Sequence, residues 1–112
     1  MKKLEIIIKP EKLEDLKAVL ESSEVNGLNI VNSMGYGNQK GIIKNYRGAS
    51  YNVTLLPKIK VETVVSDKVA PGLIDKVVDE INTGNFGDGK IFVYDVEDAV
   101  RIRTGEHGDK AL

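Results

Sequence analysis

The chain has no cysteine, no tryptophan and a single histidine, His107. Without cysteine there can be no disulfide framework, zinc-thiolate site or thiol nucleophile, and one histidine cannot make a His-rich metal site. An excess of either charge is also missing: 16 Lys and Arg against 17 Asp and Glu leave a formal net charge of −1. Such a surface offers no general attraction to nucleic acid or anionic lipid. Aromatic residues make up only 5% of the chain, too few for the stacking platforms of an RNA-binding sheet. No apolar run approaches the roughly 18 to 20 residues of a membrane span. The opening Met1-Lys2-Lys3-Leu4-Glu5 lacks the apolar centre of a signal peptide, so a soluble, cytoplasmic chain is expected.

What is present fits one domain, residues 1–112, because 112 residues leave no room for a second core. At 41% hydrophobic residues that core is thin, and assembly with further copies would help it. Leu4, Ile6 and Ile8 alternate with Lys3, Glu5, Ile7 and Lys9, which predicts a half-buried strand ending at Pro10. Leu13, Leu16 and Leu20 recur at helical spacing behind that proline and predict a helix running to about Asn26-Gly27. A second strand is expected over Leu28 to Met34. From Asn38 to about Leu55 neither period is found, and the stretch reads as a long loop, a length that in compact domains usually has a function. Ile59, Val61, Thr63 and Val65 predict a third strand after Pro57. Leu73, Ile74, Val77, Val78 and Ile81 predict a second helix that Ser66 or Asp67 could cap, and Ile91 to Tyr94 a last strand. The order β-α-β-β-α-β specifies an α+β, ferredoxin-like fold with one antiparallel sheet and two helices on one face.

Three constellations could carry chemistry. Gly84-Asn85-Phe86-Gly87-Asp88-Gly89-Lys90 has the spacing G-x-x-x-x-G-K, in which backbone N–H groups and a lysine can hold phosphate. Ile91 stands where a P-loop needs Ser or Thr, and the loop lies between helix and strand instead of strand and helix, which argues against a Walker NTPase. An anion cradle and an Asp-Gly turn both remain open for residues 83–90. Arg101 and Arg103, two residues apart, would share a side of an extended segment and could grip a polyphosphate. Gly35-Tyr36-Gly37 lets a ligand approach the backbone at the start of the long loop. Lys58 and Lys60 read as the outer face of a strand. His107, in a Gly/Asp/Lys tail, reads as an exposed histidine, and the helical carboxylates Glu14, Asp15, Glu21, Asp75, Asp79 and Glu80 read as solvated faces.

Six ordered stretches together resemble the PII signal-transduction family, trimeric cytoplasmic regulators of nitrogen control. They are Ile8-Lys9-Pro10; Gly35-Tyr36-Gly37-Asn38-Gln39-Lys40-Gly41; Tyr46-Arg47-Gly48-Ala49-Ser50-Tyr51; Leu56-Pro57-Lys58; Thr83 through Val93; and Arg101-Ile102-Arg103-Thr104-Gly105-Glu106. The resemblance covers essentially the whole chain. It implies a homotrimer with ATP or ADP held as an effector in each cleft between neighbouring subunits. Gly35, Gly37, Asn38 and Gln39 would approach the nucleotide from the base of the long loop, and Gly87, Asp88, Gly89 and Lys90 would hold its phosphates. Arg101 and Arg103 would reach in from the neighbour, with Ile7, Gly27, Asn29, Glu62 and Val64 around base and sugar. Magnesium with ATP, together with Gln39, would help bind 2-oxoglutarate, for which Lys58, Gly41 and Gly87 complete the set. The loop of about 38–55 would present Arg47 to an ammonium transporter, or to another transporter or enzyme of nitrogen metabolism. Tyr51 occupies the position that some relatives carry as a nucleotidylation site. The C-terminal loop of about 101–112 carries the arginines.

The same likeness implies an allosteric regulator, not an enzyme, with at most slow ATP hydrolysis, no nucleic-acid partner, and membrane contact only through a transporter. Asn38 departs from the arginine that many relatives use on phosphate, and Asn29 from a frequent threonine. An alternative is an adenine-nucleotide energy sensor of the same type that ignores 2-oxoglutarate and serves a client other than an ammonium channel.

Overall fold

The computed structural model describes residues 1–36 and 55–112 and, between them, the backbone of 42–46 and 49–53. Strand β1 (Lys2–Ile8) is followed by a 3-10 turn at Pro10–Lys12 and helix α1 (Leu13–Glu21). Strands β2 (Asn29–Gly35), β3 (Ile42–Tyr46), β4 (Ala49–Val53) and β5 (Leu56–Val65), helix α2 (Ala70–Ile81) and strand β6 (Lys90–Asp95) complete the order. Strands β2, β5, β1 and β6 lie side by side in that order, every pair antiparallel. With two helices this is the ferredoxin-like α+β arrangement that the hydrophobic periods specify.

The alternation in the strands decides which face is covered. Leu4, Ile6 and Ile8 of β1 and Ile59, Val61 and Val65 of β5 pack against Leu16, Val19 and Leu20 of α1 and Leu73, Val77 and Ile81 of α2, all buried. Thr63 falls on the same buried face, and its hydroxyl donates to the Gly27 carbonyl at 2.6 Å, which removes the cost of burying it. The opposite face carries Lys3, Glu5, Lys60 and Glu62 beside the aromatic side chains of Phe92 and Tyr94, which the register places opposite Glu5 and Lys3. Lys60 bridges Glu5 at 3.5 Å and Glu62 at 3.6 Å, Lys3 meets Glu62 at 3.7 Å, and the Tyr94 hydroxyl donates to Glu5 at 2.8 Å.

Three boundaries differ from the sequence reading. Helix α1 stops at Glu21, because the hydroxyls of Ser22 and Ser23 both donate 2.9 Å bonds to the Val19 carbonyl and close the last turn before Asn26 is reached. No side chain caps α2: it starts at Ala70 with Pro71 in its first turn, while Asp67 pairs with the amino terminus at 2.9 Å. The segment read as an irregular loop contains β3 and β4, paired from Ile42↔Val53 to Tyr46↔Ala49 as a two-stranded sheet of their own. Ala49-Ser50-Tyr51-Asn52-Val53 does alternate, but the run is short and follows Gly48 and a polar stretch, so the sequence reading merges it into the loop. Among the described residues no helix is long and apolar enough to cross a membrane.

Candidate functional site

The turn from α2 into β6 is shaped by its own side chains. The Asp88 carboxylate accepts bonds from the Thr83 amide at 2.8 Å, the Gly84 amide at 3.0 Å and the Thr83 hydroxyl. Asn82 adds a second acceptor for Gly84 at 2.7 Å. These donors hold the Asp88 carboxyl below the usual carboxylate range, the Thr83 hydroxyl being the first cause and the Thr83 amide the next. A carboxylate would repel phosphate, and this one is committed to bracing the loop, so any anion contact at position 88 falls to the main chain.

Close approach requires glycine at position 89. Its φ is +111°, and a Cβ there would stand 1.7 Å from the Ile7 carbonyl oxygen, so the loop lies directly on the end of β1. Gly87, at φ +91°, presents its carbonyl to the Lys58 ammonium at 3.1 Å. The stem of Lys58 crosses Gly35, where a Cβ would come within 2.9 Å of Lys58 Cγ. Desolvation is the first cause lowering the Lys58 pKa, with the Lys9 charge adding to it. Ile7 and Lys90 are register partners. One end of the sheet therefore gathers Ile7, Gly35, Lys58, Gly87, Asp88, Gly89 and Lys90.

Asn29 and Glu62 are register partners further along the sheet, and Val64 follows on the same strand face. Gly27 is fixed by Thr63. Lys58 and Val64 are six residues apart on β5, about 20 Å at the usual rise per residue. Within one chain these residues thus form a second group, separate from the glycine loop. Arg101 and Arg103 belong to a third element. Arg101 opens a tight turn, whose Gly105 amide bonds to the Arg101 carbonyl at 2.7 Å, and Arg103 lies in its middle, so the two do not lie along an extended strand. Arg101 is held by the Leu112 carbonyl at 2.9 Å and by Glu106 at 3.6 Å, whereas Arg103 is exposed. Gly37, Asn38, Gln39, Gly41 and Arg47, and the side chain of Tyr51, lie outside the described residues.

Between α2 and strands β1 and β6 is a cleft of about 480 Å³ whose apolar walls include Ile6, Ile8, Ile74, Val77 and Ile81, with Asp88, Gly89 and Lys90 of the loop also lining it. It sits on the helix side of the sheet. The sequence reading passed over Thr83, whose pairing with Asp88 follows no helical or strand period. It likewise left His107 without a partner, although Asp98 meets it at 2.7 Å. Only the folded chain brings those pairs together.

Asp88 sets a pH dependence. Because its folded pKa is depressed, its contribution to stability is complete above the ordinary aspartate range, about pH 4 to 5, and is lost as pH falls through the lower folded value. Thermal melts of the wild type and Asp88→Asn are expected to differ at pH 7 and to converge toward pH 2; a gap that stays constant over that range would contradict the role of the charge.

Comparison with known proteins places the chain in a family. The family model described as "Nitrogen regulatory protein P-II" matches residues 1–106. A "Nitrogen regulatory protein P-II" of Haemophilus influenzae is 47% identical over 112 residues, all of both chains. One of Rhodospirillum rubrum and the "Nitrogen regulatory protein P-II 1" of Escherichia coli are each 46% identical over the same full length. The chain therefore belongs to the nitrogen regulatory protein P-II family.

Proposed function

We propose that three copies of this chain assemble and bind ATP or ADP in the clefts between them, and that the nucleotide state governs how residues 38–55 meet a client protein. The observation that supports this reading is the division of the expected site. One group lies around Gly87 to Lys90, a second around Gly27, Asn29, Glu62 and Val64, about 20 Å apart along β5, and the arginines sit on a separate turn. A single copy leaves the groups apart; a neighbour could bring the second group and the arginines to the first. The sheet face that carries Phe92 and Tyr94 half-exposed beside paired charges is a suitable surface for such an assembly.

The lysines and arginines would form charge-assisted bonds to a triphosphate, and binding between subunits would also favour assembly. Magnesium would come with ATP. Among the described residues no cluster of three or more His, Asp or Glu is placed to hold a metal, and magnesium commonly relies on substrate phosphates plus one or two protein ligands, here Gln39. Lys58 and Gly87, already 3.1 Å apart, would receive 2-oxoglutarate with Gln39 and Gly41. A transporter or enzyme of nitrogen metabolism is the proposed client, contacted through Arg47, with Tyr51 available for modification. Catalysis has no role in this reading beyond slow ATP hydrolysis.

Calorimetry with ATP, ADP and 2-oxoglutarate separates the parts. Both nucleotides are expected to bind, with 2-oxoglutarate binding only when magnesium-ATP is present. Silence with both nucleotides would end the proposal; nucleotide binding with no effect of 2-oxoglutarate would leave an energy sensor.

A further inference from the structure

After β6 the chain forms a small hairpin. Val100 bridges His107, the Gly108 amide donates to the Ala99 carbonyl at 2.9 Å, and the Arg101 amide donates to the Glu106 carbonyl at 2.9 Å. Arg101 and Arg103 ride on its tip. Apolar packing contributes little: Val100 is half-exposed and Ile102 wholly exposed, and a two-stranded hairpin without a packed face is marginal in water. Polar contacts must hold it, and the Asp98 carboxylate makes two of them across the hairpin. One oxygen accepts from the Gly108 amide at 3.2 Å and from the Ala99 amide at 2.9 Å; the other meets His107 Nδ1 at 2.7 Å.

We infer that Asp98 and His107 are positioning residues, a clasp that fixes the arginine turn before nucleotide arrives. The inference rests on the nucleotide reading proposed above. Ordering two long cationic side chains and the turn beneath them on binding costs affinity, and a turn already held spares that cost. His107 is the residue that closes the clasp from the far strand. Its hydrogen bond is the first cause holding the Asp98 carboxyl below the usual range, and the Ala99 and Gly108 amides act in the same direction. Neither residue needs to touch the ligand. Glu106 performs a related task more weakly, meeting Arg101 at 3.6 Å.

The test is ATP titration of the wild type, Asp98→Ala, His107→Ala and His107→Gln, each also made in an Arg103→Ala background. Asp98→Ala and His107→Ala are expected to weaken ATP binding about five- to tenfold, the cost of ordering a loosened side chain on binding, with the melting temperature nearly unchanged. His107→Gln, which retains a donor, is expected to recover part of the affinity. In the Arg103→Ala background the clasp variants are expected to have smaller effects, since one of the two arginine contacts they position is gone. Equal losses in both backgrounds, or unchanged affinity in Asp98→Ala and His107→Ala, would overturn the positioning role. A wild type that binds no ATP would instead defeat the underlying nucleotide reading.

Discussion

Replacing Gly89 with alanine is expected to abolish tight nucleotide binding and to lower the melting temperature by at least several degrees. Two separate costs act there. An L-residue at φ +111° is strained by about 1 to 3 kcal/mol, and its Cβ would lie 1.7 Å from a backbone oxygen of β1 that has no side-chain freedom to retreat. The loop would have to lift from the sheet, taking Gly87 away from Lys58. Gly84 separates the two costs: it also has positive φ, +81°, but nothing lies within 4 Å of its would-be Cβ. Gly84→Ala should therefore show only the strain, a fall of about 4 to 8 °C per kcal/mol for a domain near this size, and retain most nucleotide affinity. Melting curves and ATP titrations of the two variants check this, and similar behaviour at both positions would contradict the close contact between loop and strand.

The second large effect is expected at Arg103. Its side chain is exposed, so truncation removes little from the fold of the chain itself. A hydrogen bond to a charged group is worth about 1.5 to 3 kcal/mol, so Arg103→Ala should weaken ATP binding roughly 10- to 100-fold with no change in melting temperature of the nucleotide-free protein. Titration at low and moderate salt provides a second check, because loss of a cation from a phosphate site also reduces the salt dependence. Unchanged affinity would remove the C-terminal turn from the site.

These expectations draw unequally on sequence and structure. The fold was legible because β1, β5 and both helices each carry one buried side. The alternation of Leu4, Ile6 and Ile8 and the three- and four-residue spacing from Leu73 to Ile81 are direct marks of that burial. Strands β3 and β4 escape the sequence reading, since each is only five residues long and the glycines and polar residues around them obscure the brief alternation of Ala49-Ser50-Tyr51-Asn52-Val53. The glycine loop was visible as a spacing, but its bracing by Thr83 and its contact with Ile7 depend on chain segments that meet only after folding. His107 illustrates the same limit: in a tail rich in Gly, Asp and Lys it reads as solvated, and it is 66% exposed, yet Asp98 nine residues earlier pairs with it. The arginine pair was legible as a cationic motif, whereas its placement on a turn was not, because alternation is informative only for extended backbone.

Mixing two defective chains tests the shared site most directly. Lys90→Ala damages the loop side and Arg103→Ala the opposite side, so each variant alone should bind ATP weakly at all its sites. When differently tagged copies are unfolded together, refolded and isolated as mixed trimers, clefts that combine the intact half of each chain should appear at about one third of their sites, since every mixed ring has one such cleft in three. Recovery of that fraction of wild-type-affinity ATP sites is the predicted result; mixed assemblies with no tight site would contradict a cleft built from two copies.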